Sequence, residues 1–267
     1  PFSFEAVEKT IRQEIEHAIA DRFSSFTRKP TASASIAQVH KATLEDGRVV
    51  AVKVQRPGIE EIIETDTDIL LLLAHLAERT IRRARLLSPV ELVEEFRRTI
   101  VTELDFQLER ENLELFQEQY HRRSTLYVPY TVPELSTRRI LVMEYVEGER
   151  LAEVIAAEDQ EERKERIARR GADIVLEQVL AEGIFHADPH PGNILIIKDD
   201  RICFLDYGIV GNLKPRQRKL IVEAILGTVQ HDPDRVTEAM LKLTGQRLGS
   251  HRTDLLRDEV DVLIEEY

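Results

Sequence analysis

Apolar residues recur at one-turn spacing in several stretches of this chain, and between those stretches they alternate or run together. Val7, Ile11, Ile15 and Ile19 lie on one stripe and predict a helix over Phe4–Arg22. The β-branched positions Val49, Val50, Val52 and Val54 predict a strand over Arg48–Gln55. An Asp46-Gly47 turn joins it to a preceding strand over Ser35–Leu44. Arg56-Pro57-Gly58 stops the strand, and Ile62, Ile63, Asp66, Ile69, Leu70 and Leu73 then trace a long amphipathic helix. Ser88-Pro89 with Glu91 reads as a capping box with proline at the first helical position. The helix it opens runs toward Tyr120, with Leu92, Phe96, Ile100, Leu104 and Leu108 on its apolar stripe.

Farther along, Val128–Leu135 and Arg139–Glu147 read as strands, Gly148 permits a change of direction, and Leu151–Ala157 and Glu161–Glu182 read as helices. The runs Ile194–Ile197 and Ile202–Leu205, separated by Lys198–Arg201, predict a buried, rigid hairpin. After Gly211 the pattern is helical to the end. The class is α+β, with the best place for a lobe boundary at Met143–Glu147.

Composition narrows the picture. With 267 residues and 42% hydrophobic content the chain can bury a sizeable core. A formal charge of −12 argues against nucleic acid, whose phosphates demand clustered Lys and Arg. The local basic run Arg79–Arg85 reads as a solvated helix end. One cysteine, Cys203, excludes a disulfide within the chain and fits a reducing, cytoplasmic compartment. The apolar run Ile69–Ala74 is far too short to span a bilayer. The first residue is Pro1 and the last falls in an apparent helix, so the expectation is a domain excised from a longer chain.

The candidate chemistry sits in HADPHPGNILIIKDDRICFLDYG, residues 186–208. Asp188, Asn193 and Asp206 bring oxygen donors to one end of the expected hairpin. The spacing D-x-x-x-x-N followed by D-Y-G is what phosphoryl transfer from Mg·ATP requires, with one acid to position the acceptor and an Asn and an Asp to hold metal. Upstream, Lys53 lies in RVVAVKVQ, where an ammonium can reach nucleotide phosphates. Before that strand, where a protein kinase carries a glycine-rich loop, Pro30–His40 holds no glycine. Alanine restricts φ, so this loop should be stiffer: either Ala32, Ser33, Ala34, Ser35 and Val39 are candidates to meet the nucleotide, with Ser33 and Ser35 as hydroxyl donors, or the stretch is a small-residue turn with no ligand. His190 follows Asp188 by two residues, where protein kinases usually carry a lysine, and His186 is placed to buttress the loop from behind. No A-P-E segment follows Gly208, which favours a small molecule or water over a peptide as acceptor.

ASASIAQVH, VAVKVQRPG, TELDF, LVMEYVEG, FHADPHPGN and FLDYG together resemble the UbiB family of atypical kinases, also called aarF-domain kinases, over nearly the whole chain. The resemblance implies a single domain over residues 1–267 with a two-lobed, protein-kinase-like fold. Its N-lobe, about 1–143, would be a small antiparallel sheet carrying inserted helices. A hinge at 144–147 would lead to a mainly helical C-lobe, about 148–267. It implies Mg²⁺ with ATP or ADP, ATPase or small-molecule kinase activity, a role with isoprenoid quinones or other prenyl lipids, and peripheral membrane contact. By the same resemblance, Lys53 contacts phosphates, Glu109 pairs with it, Asp188 is the catalytic aspartate, and Asn193 and Asp206 hold metal. Backbone atoms of Glu144, Tyr145 and Val146 would meet the adenine, and Glu103 and Asp105 match an E-x-D signature. Residues two apart on an unbroken helix point roughly 200° apart, so that pair requires either an irregular helix or two different partners. The family's K-x-G-Q signature is absent from these residues. Two other readings share part of the pattern: an aminoglycoside- or choline-type phosphotransferase, and a nucleotide-sensing pseudokinase.

Overall fold

The computed structural model describes residues 1–16, 18–81, 88–121, 125–245 and 249–266, without the side chains of residues 250 and 251. His17 and most of the basic run, residues 82–85, therefore lie outside the described residues. The chain divides into two units, Pro1–Asp159 with Pro189–Ile209, and Gln160–Asp188 with the chain from Val210 onward.

In the first unit, helix α1 (Phe4–Ile15) is capped by Ser3 and buries Val7 and Ile11. It ends seven residues before the expected Arg22, because Glu16 turns to φ 60° and ends the helical hydrogen bonding. A 3₁₀ turn (Ile19–Asp21) follows, then strand β1 (Phe23–Phe26), which the periodicity did not indicate. Strands β2 (Ala32–Ser33), β3 (Ala37–Leu44) and β4 (Val49–Gln55) come next, β3 starting two residues later than expected. Helix α2 (Ile59–Thr80) starts from Gly58 in the left-handed conformation.

The long helix expected toward Tyr120 is two helices, α3 (Pro89–Glu103) and α4 (Phe106–Tyr120). Leu104 and Phe106 are both buried, and residues two apart cannot face one core from a straight helix. The break lets both point inward. Asp105 caps α4 by accepting the Gln107 N–H at 3.0 Å, and the Leu104 carbonyl accepts from the Gln55 side chain at 2.7 Å. At the start of α3 the expected capping box is absent. Ser88 lies at φ 42° and its side chain makes no cap bond, since an N-cap needs extended backbone.

The expected strand Val128–Leu135 is also corrected. Only β5 (Leu126–Tyr127) and a bridge from Thr131 to Met143 are extended, and Pro133 opens a 3₁₀ turn over Pro133–Leu135. Strand β6 (Ile140–Glu144) is shorter than expected, and β7 (Glu149–Arg150) leads into α5 (Leu151–Ala156). Between them, a Cβ on Gly148 would stand 2.9 Å from the Ile196 carbonyl oxygen, so close approach requires glycine there.

The expected helix over Glu161–Glu182 is α6 (Glu161–Leu176) followed by a π-helical turn (Glu177–Glu182). Strand β8 (Ile184–His186) precedes the hairpin of β9 (Ile194–Ile197) and β10 (Arg201–Phe204), which buries residues 194–196 and 202–204 and leaves Ile197, Arg201 and Leu205 half-buried. After β11 (Val210–Asn212) come α7 (Pro215–Val229), α8 (Pro233–Thr244) and α9 (Ser250–Glu266).

The first unit holds two sheets. One is antiparallel, in the order β1-β3-β4-β6 with β2 on β3, and its inward side chains join Val7 and Ile11 in the core. The other has the order β5-β10-β9-β7. The second unit is mainly helical, with the antiparallel pair β8-β11. The class is thus α+β, with a mainly antiparallel pairing of strands, β5 and β10 alone running parallel among the named pairs, added helices in the N-terminal part and helices dominating the C-terminal part. Among the described residues no helix is long and apolar enough to cross a membrane.

Candidate functional site

Strand β4 and helix α4 build the centre of the site. Alternation along β4 turns Lys53 and Gln55 to one face, and both reach the region of α4. The Lys53 ammonium donates to both carboxylate oxygens of Glu109, at 2.9 and 2.7 Å, and lies 3.5 Å from Asp206 Oδ2. Lys53 also sits 5.0 Å from the centre of the Phe106 ring. Glu109 is buried and Lys53 nearly so, whereas 41% of the Asp206 side chain is exposed. Burial works against the Lys53 charge, but the carboxylates of Glu109 and Asp206 outweigh it and push its pKa up to about 12. The ammonium stays charged. Burial pushes the Glu109 carboxyl up, with the Lys53 charge pulling in the opposite direction.

Helix α4 also anchors the D-Y-G segment. Glu109 Oε1 accepts the Tyr207 N–H at 3.4 Å, and the Asn112 side chain donates to the Tyr207 carbonyl at 2.8 Å. The Tyr207 ring is buried edge-on against Phe116 at 5.1 Å. Asp206 Oδ1 accepts the Gly208 N–H at 2.9 Å, which fixes the carboxylate. The hairpin register brings Asn193 beside this segment, because the Leu205 N–H donates to the Asn193 carbonyl at 2.8 Å.

One carboxylate and one amide oxygen from adjacent strand ends suit Mg²⁺, which takes one or two protein oxygens and completes its shell with phosphates and water. Among the described residues no group of three or more His, Cys, Asp or Glu side chains forms a metal cage. The donor set fits a metal shared with a phosphate ligand.

Asp188 belongs to the second unit, at the point where the chain returns to the first. Its N–H donates to His186 Nδ1 at 3.1 Å. His186 is buried, and its own N–H donates to Gln178 Oε1 at 2.9 Å. Gln178, 1% exposed in the π-helical turn, was passed over in the sequence. Its one signal is a polar residue on the stripe of the buried Ile167 and Ile174. Asn112 and Gln55 gave no signal, being polar residues on otherwise ordinary elements.

Of the remaining candidates, Val39 is the cross-strand partner of Lys53 itself, and the small-residue segment pairs back onto Val39. Ala32 and Ser33 pair with Val39 and Gln38, and the Ala34 N–H donates to the Ala37 carbonyl at 2.8 Å, so the small-residue loop is a tight hairpin. Ala32, Ser33, Ala34 and Ser35 are exposed and Val39 is half-buried. The Glu144 carboxylate accepts from the Tyr127 hydroxyl at 2.6 and 2.7 Å, the Tyr145 N–H donates to the Val49 carbonyl at 3.1 Å, and Val146 is half-buried. Glu103 and Asp105 are separated by the break between α3 and α4. Glu103 ends α3, while Asp105 caps α4 and lies 3.8 Å from Arg138 Nε. The break between the two helices resolves the geometric conflict, because the two acids do not share one straight helix.

The ABC1 atypical kinase-like domain matches residues 1–240. A protein from Clostridium pasteurianum, described as an uncharacterized protein in the hydrogenase 1 5′ region, is 32% identical over the whole chain, which covers 50% of that relative. A probable protein kinase UbiB of Aliivibrio fischeri is 34% identical over 89% of the chain and 45% of the relative. The chloroplastic protein ACTIVITY OF BC1 COMPLEX KINASE 8 of Arabidopsis thaliana is 32% identical over 96% of the chain and 35% of its own length. The chain thus spans half or less of the length of these curated relatives. Among solved structures, Rv3197 of Mycobacterium tuberculosis, in complex with erythromycin, matches with a TM-score of 0.75 and 29% identity over 98% of this chain and 66% of that one. The chain belongs to the ABC1/UbiB family of atypical kinases and has the family's protein-kinase-like fold.

Proposed function

We propose that residues 1–267 form one atypical kinase domain that binds Mg·ATP and hydrolyses it or transfers its terminal phosphoryl group to a small molecule. The observation that carries this reading is the Lys53–Glu109 ion pair beside Asp206, whose chain neighbour Leu205 is hydrogen-bonded to the Asn193 carbonyl. Lys53 neutralises nucleotide phosphates, and Glu109 holds its ammonium in place. Asn193 and Asp206 hold Mg²⁺, which supplies charge neutralisation across the phosphate oxygens when bound. Asp188 positions the attacking hydroxyl or water. Backbone groups at Glu144–Val146, the hinge, receive the adenine, and the Ala32–Ser35 hairpin with Val39 covers the phosphates. Catalysis of this kind is positioning plus charge stabilisation.

A small acceptor is favoured because Gly208 leads within two residues into β11 and then α7, with no A-P-E platform for a peptide. Family membership supports a prenyl-lipid or quinone-related acceptor worked on at a membrane surface. Exposed apolar side chains on α2 and α3, such as Leu72 at 70% and Leu92 at 68%, are consistent with peripheral contact.

The test is a thermal-shift titration with ATP and ADP, with and without Mg²⁺, on wild type, Asp206→Asn and Asp188→Asn. Nucleotide at about a hundredfold over its Kd stabilises by roughly 2.7 kcal/mol. The expected result is a Mg²⁺-dependent shift lost in Asp206→Asn and kept in Asp188→Asn, with ATP turnover lost in the latter. A wild type with no nucleotide shift refutes the reading.

A further inference from the structure

The segment 186–193 contains the same local device twice. The Asp188 N–H donates to His186 Nδ1, and the Gly192 N–H donates to His190 Nδ1, each at 3.1 Å. A backbone N–H can only donate, so Nδ1 is the acceptor in both rings and the neutral imidazole carries its proton on Nε2. The two rings differ in surroundings: His186 is buried, and His190 is exposed. Among the described residues His190 has no other side-chain hydrogen bond, which leaves its Nε2–H free to donate.

The backbone ties His190 to the oxygen donors of the first unit. Its carbonyl accepts the Asn193 N–H at 2.9 Å across the short 3₁₀ turn Pro191–Asn193, and the Asn193 carbonyl accepts the Leu205 N–H next to Asp206. Gly192 permits the ring's position, since a Cβ there would stand 3.0 Å from His190 Nδ1. A turn cap alone needs only an acceptor, which Asn or Asp supplies with less side chain. An imidazole adds a second nitrogen, oriented by the first, on the loop that carries Asn193.

We propose that His190 is a phosphate-contacting residue whose Nε2–H donates to an oxygen of the terminal phosphate of the bound nucleotide. The proposal rests on the nucleotide reading above. It assigns the discrimination between ATP and ADP partly to this donor, with no change of charge on the ring.

The experiment compares wild type, His190→Asn and His190→Ala in the intact protein. Asn keeps an acceptor for the Gly192 N–H, and its amide N–H₂ is too short to reach the position of Nε2, whereas Ala lacks both groups. Dissociation constants for Mg·ATP and Mg·ADP are read by titration calorimetry, beside thermal stability. A hydrogen bond to a charged group corresponds to roughly a tenfold or larger change in affinity. Both variants are expected to weaken ATP by about that factor and to leave ADP unchanged, with Asn as stable as wild type. If His190→Asn binds ATP like wild type, the histidine is only a cap and the proposal is overturned. Equal weakening of ATP and ADP also overturns it, because the contact is then not on the terminal phosphate. A wild type that binds neither nucleotide removes the functional reading itself, and this inference with it.

Discussion

Helices α3 and α4 stand where one amphipathic helix is expected, yet they meet opposite fates, and the expected stripe does not cross the break, since Leu108 is 40% exposed. Helix α4 buries Phe106, Glu109, Leu113, Phe116 and Tyr120, whereas no residue of α3 is fully buried. Leu92 and Phe96 on the apolar stripe of α3 are 68% and 49% exposed. An amphipathic stripe therefore states that a helix can bury a face, without stating that it does. The difference lies in what surrounds each helix. Helix α4 holds the ion pair with β4 and the D-Y-G segment, while α3 packs chiefly on α2.

The largest effects are expected inside α4. Glu109→Ala leaves the Lys53 ammonium nearly buried with only Asp206 near it, at a cost of about 3 kcal/mol. Phe116→Ala opens a cavity beside Tyr207 at a similar or larger cost, about 3–5 kcal/mol. Urea unfolding of both variants checks this, and losses under 1 kcal/mol would show that α4 is not the better-packed helix.

The two helix N-termini differ at intermediate size. Asp105→Ala removes a cap bond to Gln107 and is expected to lower stability by about 1 kcal/mol, while Ser88→Ala, with no such bond, changes it by less than about 0.5 kcal/mol. Equal midpoints for these two variants in parallel melts would contradict the cap assignment.

The smallest effect belongs to the exposed stripe. Leu92→Ser and Phe96→Ser on α3 are expected to alter unfolding free energy by no more than about 0.5 kcal/mol. A loss of 2 kcal/mol in either would mean that the α3 face is covered in solution.

Much of the candidate site was legible because its residues lie in short, chemically distinctive strings. Asp188, Asn193 and Asp206 fall within a few residues of turns and buried strands, and Lys53 sits in a β-branched strand whose register alternation predicts. Gln178, Asn112 and Gln55 were not legible, since each acts through one hydrogen bond to a residue distant in sequence or across an irregular turn. The E-x-D pair shows both sides. Periodicity exposed a conflict between Glu103 and Asp105, and only the structure showed the helix break that resolves it.

From the sequence alone came the class, the strand that carries Lys53, the buried β9–β10 hairpin and the acids at its end. These follow from local rules: side-chain period, turn chemistry and short-range spacing. Tertiary structure decided where α1 stops, that α3 and α4 are separate and that Ser88 makes no cap bond, whereas the meeting of Glu109 with Lys53 across 56 residues of chain followed from the family resemblance and from no local rule. Such outcomes depend on competition for the same buried volume and the same hydrogen-bond partners. A one-dimensional pattern records each residue's preference for burial, but which preferences are satisfied together is settled only when the elements pack.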